Sequence, residues 1–142
     1  YEKPTYTMRC RLTVFSDMFK GHNFDAPFGS EQFSKLLSEG IHQYLLRNRE
    51  DFLLLMNSAT NSPYASVKED IIAEMKNHFS QAFQYKSSSY DYYIVEVLSR
   101  NLLEGLIQIA KNRNDDRLVG IDLLLLISYH INGIMPLLEK EL

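Results

Sequence analysis

The sequence contains a single cysteine, Cys10, so the chain cannot form an internal disulfide. One free thiol is typical of a protein from a reducing compartment, and we expect a cytoplasmic protein. Positive charge is not in excess, because the net charge is −3 and the basic residues are interleaved with acidic ones. This segment therefore has little with which to hold phosphates, and by itself it is not expected to bind nucleic acid.

Signatures of common enzyme classes are also absent. The sequence has no P-loop, no GxSxG, GxGxxG or HExxH motif, and no CxxC pair. The four histidines fall in different segments, and none has a second histidine or a cysteine at metal-ligand spacing on one helix face. We therefore expect no enzyme, no catalytic residue, no metal site and no cofactor. A small helical enzyme would need titratable groups that converge in one cavity, and the sequence offers no obvious set.

Glycine and proline are sparse, with six and four residues in the whole chain. The intervals between them have the length of helices rather than of strands, and this predicts an all-α protein. We expect one domain over residues 1–142, folded as a single bundle of about six helices. The chain begins with Tyr1 rather than methionine, so we also expect it to be a fragment of a longer protein.

Local signals place the first helices. One helix is expected over residues 5–20, and Ser30 is the expected N-cap of the next helix, which continues to about Leu46. The string RNRED should then interrupt the chain before a short and largely buried helix, DFLLLMNSA. The expected buried face of the helix after Ser30 has apolar residues at three-and-four spacing, with Gly40 among them. Its members are Phe33, Leu37, Ile41, Tyr44 and Leu45.

The second half of the chain predicts three further helices. The first should begin either at Ser62 with Pro63 or at a capping box that starts at Ser66. Its expected apolar face is Ile71, Ile72, Met75, Phe79, Ala82 and Phe83. The next should extend from about residue 90 to residue 112, and the last from about residue 115 to the end. The inward positions expected on the middle helix recur at helical spacing. They are Ile94, Val97, Leu98, Leu102, Leu106, Ile109 and Ala110.

The sequence is rich in aromatic residues and methionine, with nine Tyr, eight Phe and five Met, and this is more informative than the motifs that it lacks. In a helical bundle these side chains can line a pocket for a small apolar or amphipathic ligand. The alternative is a fully packed core made from the same residues. The candidate ligand-binding residues are Tyr44, Phe52, Met56, Met75, Phe79 and Tyr93.

The closing stretch, LLLLISYHINGIMPLLEKEL at residues 123–142, is apolar on more than one side. It does not predict a membrane span, because Asp122, His130 and Asn132 interrupt the apolar run. A helix here would have two apolar faces, and a second copy of the chain is the simplest cover for one of them. One face is Leu123, Ile127, Ile131, Ile134 and Leu138, and the other is Leu126, His130, Gly133 and Leu137.

The succession of segments resembles a known family. SEQFSKLLSEGIHQYLLRNREDFLLLMNSA is similar to the region that follows the helix-turn-helix in TetR-family transcriptional regulators, where an amphipathic helix leads into a short apolar one. The long helix after Ser-Pro and the closing HINGIMPLL are similar to that family's ligand-binding and dimerisation domain. The resemblance covers roughly residues 5–142. It is a resemblance in the order of helix types rather than in a fixed motif.

The resemblance implies an effector-sensing, dimerising part of a repressor. Operator DNA would be bound by a helix-turn-helix domain that we expect to be missing from residues 1–142. The last two long helices would pack against those of a partner as a four-helix bundle. The alternative is a stand-alone helical interaction module without a ligand. Positions matching the family's dimer contact are Leu102, Leu106, Ile109, Ile127, Ile131 and Ile134, with His130 expected at or near it.

Overall fold

The computed structural model describes residues 30–56, 65–83 and 93–138, which form four α-helices and contain no strand. These are α1 (Glu31–Met56), α2 (Ala65–Phe83), α3 (Ile94–Asn112) and α4 (Asp116–Leu138). The all-α prediction is confirmed for these residues. The expected number of about six helices is not confirmed, and the helix predicted over residues 5–20 lies outside the described residues.

α1 begins where the sequence predicts. The backbone N–H of Phe33 donates to the hydroxyl of Ser30 at 3.1 Å, which is the expected N-cap contact. The RNRED string does interrupt the helix, but as a kink rather than an end. Asn48 has non-helical backbone angles (φ −132°, ψ 22°), and its side-chain amide donates to the carbonyl of Tyr44 at 3.1 Å. The two predicted segments are therefore the two halves of one bent helix, and the side chain of Asn48 bonds back to the preceding turn at the kink.

α2 begins at Ala65, so Ser66 lies inside its first turn instead of capping it. Ser62 and Pro63, the other predicted start, lie outside the described residues. The predicted apolar face is confirmed at its four central positions, which repeat every three or four residues and are buried. They are Ile71, Ile72, Met75 and Phe79.

α3 and α4 form a hairpin joined by residues 113–115. The carboxylate of Asp115 accepts from the backbone N–H groups of Arg117 and Leu118 at 2.9 and 3.2 Å, so it caps α4. Arg113 bonds to Asp122 at 2.7 Å across the same turn. These contacts place the start of the last helix within a residue of the predicted position.

The buried face of α3 differs in part from the prediction. Ile94 was expected inward but is 43% exposed, and Val97 and Leu98 are only partly buried. Instead Val95, Leu103 and Ile107 are buried, beside the correctly predicted Leu102, Leu106 and Ala110. The reason is tertiary, because α3 packs against α1, α2 and α4. Its buried arc is therefore wider than the single stripe that a helical repeat predicts.

The core lies where α1 packs along α4, with α2 and α3 closing its other side. Two close approaches depend on glycine. A Cβ added at Gly120 of α4 would lie 3.0 Å from the ring of His42 on α1, and one added at Gly105 of α3 would lie 2.8 Å from Leu126 of α4. A hydrogen bond also links α1 to α3, since the Nε of Arg49 donates to the carbonyl of Ala110 near the end of α3. The kinked half of α1 is thus held against the hairpin.

Candidate functional site

α4 is apolar on the side that faces away from the bundle as well as on the side that faces it. Leu118, Ile121, Leu125 and Tyr129 recur at three-and-four spacing along its outer side. Leu125 is 64% exposed and Tyr129 is 76% exposed. Single exposed apolar residues are ordinary, but a continuous row along one helix is typical of a surface that another molecule covers.

α3 extends this row across the seam of the hairpin. Leu98 and Ile109 are partly buried against the core, and Ile94 is exposed at the start of the helix. Because Gly105 has no side chain, Leu126 of α4 lies directly over α3, and the two helices lie close together at this point. The outer hairpin face, as we call it, combines these positions. It consists of Ile94, Leu98 and Ile109 of α3 and Leu118, Ile121, Leu125 and Tyr129 of α4.

The structure places the predicted dimer residues differently. Leu102, Leu106, Ile127 and Ile131 are each no more than 1% exposed within the single chain, so they offer a partner no surface to cover. Ile109 is the one predicted position that lies on the outer hairpin face, and the side chain of Ile134 lies outside the described part. The dimer itself stays a prediction, but its contact needs residues other than the four buried ones.

His130 is 8% exposed and belongs to the chain's own interior. Its Nδ1 donates to the carbonyl of Leu126 one turn earlier, at 3.0 Å, and its ring meets that of Tyr129 edge to face. His130 was expected at or near the dimer contact, but its hydrogen bond is made within α4. This contact orients the neighbouring Tyr129 ring on the outer hairpin face.

Five of the six predicted ligand-binding residues lie together in the core. Tyr44 and Phe52 pack edge to face across the kink of α1, with ring centroids 6.2 Å apart. Met56, Met75 and Phe79 are no more than 2% exposed in the same cluster. Tyr93 is separate, because it precedes α3 and is 64% exposed. Only Tyr93 is therefore excluded from a shared interior site by its position.

A pocket of about 220 Å³ lies between the second half of α1, the start of α2 and the end of α3. Leu53, Met56 and Ile107 form its apolar floor, and Lys68 and Lys111 are among the polar residues at its rim. Of the six predicted ligand-binding residues, only Met56 lines this pocket. Sequence reasoning missed the two lysines, because they come from helices whose proximity no local pattern indicates.

Ion pairs join α2 to α3 beside this pocket. Lys68 bonds to Glu104 at 2.5 Å, and one turn away Arg100 makes a two-bond contact with Glu69 at 2.9 and 3.1 Å. The hydrogen bond from Arg100, aided by its charge, lowers the pKa of the Glu69 carboxyl below its ordinary value, although partial burial opposes this. The pair is largely solvated, so its contribution to stability is under about 1 kcal/mol.

Replacing Arg100 with glutamine should raise the pKa of Glu69 towards that of an ordinary carboxyl group. Because the folded-state pKa is lowered in the intact protein, the pair stabilises the fold above the ordinary carboxyl pKa. That stabilisation is lost as the pH falls through the lowered value. Carbon-detected NMR titration of the carboxyl group measures this. Arg113→Gln, which removes a separate pair with Asp122, is the matched control and should leave Glu69 unchanged. An unchanged Glu69 pKa in Arg100→Gln would contradict the assignment.

A smaller pocket of about 130 Å³ lies between α1 and the start of α4, lined in part by His42, Arg49 and Asp116. His42 Nε2 and Arg49 Nη2 are buried there without a hydrogen-bond partner among the described residues. Each of these atoms has less than 1 Å² of accessible surface. A ligand in this pocket therefore does not reach them without a side-chain rearrangement.

The described residues offer neither a cluster of metal ligands nor a membrane-spanning helix. Among residues 30–56, 65–83 and 93–138, no group of three or more His, Cys, Asp or Glu side chains is placed to hold a metal ion. None of the four helices there has the length and apolar character needed to cross a membrane. Comparison with known proteins found no matching family model, no matching curated protein and no matching solved structure.

Proposed function

We propose that this chain is the effector-sensing and dimerisation domain of a TetR-like transcriptional repressor, and that the outer hairpin face is its dimer contact. The observation that carries the proposal is the apolar row on α4, which lies opposite the buried row and is continued by α3 across the seam. Two helices that present one self-complementary apolar face are what an isologous four-helix contact requires.

Polar residues border this face as a dimer contact needs. Asn101 is exposed beside the apolar seam on α3, and Asp122 is partly buried on α4. Specific interfaces have an apolar centre and a polar rim, and aromatic residues such as Tyr129 are enriched at the centre. In this arrangement Leu125 and Tyr129 from each copy meet near the two-fold axis, while the polar residues keep their access to water.

Effector sensing would work through the packing of α1 and α2 against this hairpin. An effector that binds one arrangement of the helices better than another shifts the population between them. In the proposed repressor, that shift alters operator binding by a helix-turn-helix domain expected upstream of Tyr1. A helix-turn-helix encoded directly before Tyr1 is therefore expected. An upstream reading frame that lacks one would overturn the DNA-binding part of the proposal.

The second candidate function is a stand-alone helical interaction module without a ligand. The burial of Phe52, Met75 and Phe79 favours it, since these side chains fill a core and do not border an open cavity. Such a module would use the same outer hairpin face to recruit a different protein. The two candidates differ in whether the chain pairs with itself and whether it binds a small molecule.

The chain should be a dimer in solution, and Leu125→Glu should convert it into a folded monomer. The substitution places a charge at the centre of the contact, where it would be desolvated without a partner, and we expect dimer affinity to fall at least about a hundredfold. Light scattering after gel filtration measures the mass, and circular dichroism checks that the helices remain.

Leu54→Glu is the matched control, because Leu54 is an exposed leucine on α1 that lies away from the outer hairpin face. It makes the same change in charge and size but should leave the mass at twice that of one chain. A wild-type chain with the mass of a monomer at tens of micromolar would overturn the proposed contact. So would equal dissociation by the two substitutions.

A further inference from the structure

The pocket between α1, α2 and α3 has an apolar floor. Met56 and Ile107 are 2% and 8% exposed, and Leu53 is a partly buried residue packed against the core. These three side chains come from the kinked half of α1 and from α3. An apolar chain that entered the pocket would therefore replace water along surfaces that are already continuous with the core.

The rim of the pocket is rich in hydrogen-bond donors and carries a net positive charge. Lys68 shares its charge with Glu104, whereas Lys111 has no ion-pair partner among the described residues. Gln108 accepts from Asn112 through its amide oxygen at 3.0 Å, which leaves its amide nitrogen to donate elsewhere. Two lysines against one glutamate leave one positive charge, and its natural complement is an anion.

We propose that this pocket binds an amphipathic carboxylate, with the apolar tail on the floor and the carboxylate beside Lys111. Gln108 donates a second hydrogen bond to the carboxylate, and Lys68 contributes charge from the far side of the rim. The proposal rests on the effector-sensing function and deepens it, because it assigns the chemical class of the effector and the residues that distinguish that class from neutral ligands.

The size of the pocket limits the tail. An apolar cavity of about 150 Å³ accommodates benzene, so a pocket of about 220 Å³ has room for roughly eight or nine heavy atoms. The carboxylate itself stays at the solvent-exposed rim, where it keeps part of its hydration and avoids the penalty of full burial. A straight-chain carboxylate such as octanoate has the right dimensions, whereas a long-chain lipid does not fit inside.

A ligand in this pocket would also contact α3, which is one helix of the hairpin. Its rim includes Lys111 in the last turn of α3, directly before the connection to α4. Its floor includes Met56 at the end of α1 and Ile107 at the edge of the buried arc of α3. A ligand tail on this floor contacts α1 and α3 at once. It therefore stabilises helix arrangements in which the ends of α1 and α3 stay at a fixed distance from each other.

The test is titration of the intact chain with octanoate, followed by isothermal calorimetry and by amide NMR shifts. We expect saturable binding, with the largest shifts at Met56, Ile107 and Lys111. Butyrate, which has the same head and a shorter tail, should bind at least about tenfold more weakly because less apolar surface is buried. Octanol, which has the same tail without the charge, should also bind about tenfold more weakly.

Two charge reversals complete the test. Lys111→Glu should weaken octanoate binding about tenfold or more, because it replaces attraction at the rim with repulsion. Lys76→Glu is the matched control, since Lys76 is an exposed lysine of α2 that does not line the pocket. It changes the net charge of the chain equally and should alter affinity less than about twofold.

Several results would overturn the pocket assignment: no saturable octanoate binding, shifts centred elsewhere, or equal losses in the two lysine variants. The pocket lies apart from the outer hairpin face, so its failure is separable from that of the dimer contact. If the chain dimerises but does not bind octanoate, the carboxylate pocket is wrong and the proposed dimer contact stands. If the chain is a monomer that binds octanoate through Lys111, the pocket stands and the proposal of a dimeric sensor is wrong.

Discussion

Phe52→Ala should lower the free energy of unfolding by about 3 to 5 kcal/mol, as measured by urea denaturation. Phe52 has no exposed surface and packs edge to face on Tyr44 across the kink at Asn48. The substitution removes a large buried ring, and α1 cannot easily close the resulting cavity because Arg49 ties it to α3. Such a loss is a large part of the 5 to 15 kcal/mol that stabilises a typical domain.

Leu54→Ala provides the control two residues away, on the exposed side of the same helix, and should cost less than about 1 kcal/mol. The comparison also decides between the two interpretations of the aromatic and methionine residues. A side chain that borders an empty ligand cavity loses few packing contacts when it is shortened. A loss below about 1 kcal/mol for Phe52→Ala would therefore favour a ligand cavity at this position over a packed core.

The parts of the fold that the sequence predicted correctly are those that local chemistry decides. A serine before an amphipathic repeat supplied the N-cap at Ser30, and the start of α4 was expected at about Asp115, which the structure shows capping it. The break at RNRED was also visible, because the run of polar residues there interrupts the apolar repeat. These signals depend on residues within one or two turns of each other, and no tertiary information is needed to interpret them.

The orientation of the helices was harder to predict, and α4 is the clearest case. Apolar residues occur on all sides of α4, so the sequence pattern does not indicate which side is buried. The face of Leu123, Ile127 and Ile131 was expected to be apolar and is buried. The second face was expected at Leu126 and His130, but the exposed apolar row lies at Ile121, Leu125 and Tyr129. Leu126 is covered because α3 lies beside it, and this contact decides which faces of α4 are buried and which are exposed.

The position of the pocket is a second feature that the sequence could not predict. Composition indicated an adaptable, aromatic and methionine-rich interior, and that interior is present around Phe52 and Met75. The open pocket lies at the edge of it, where Lys68 of α2 and Lys111 of α3 both line the rim. No periodic pattern relates two lysines that belong to different helices. Their shared rim follows from how α2 packs against α3, which only the structure supplies.

Ile127→Glu should unfold the chain and should not produce a folded monomer. The sequence alone placed Ile127 at the dimer contact, where a charge would separate two copies. In the structure it has no exposed surface and lies in the core between α4 and α1. A carboxylate there must be desolvated without a partner or be held protonated, and we expect a loss of about 4 kcal/mol or more. Circular dichroism and urea denaturation measure it.

Leu125→Glu introduces the same side chain two residues earlier on the same helix, at a position that is 64% exposed in the single chain. As a monomer it should retain its helical signal and lose only the part of its urea stability that pairing supplies, while Ile127→Glu loses the helical signal itself. The pair therefore separates a core position from a contact position without changing the chemistry of the substitution. If Ile127→Glu instead gave a stable, helical monomer, the buried row of α4 would be the dimer contact after all. The packing of α1 against that row would then have to differ in solution.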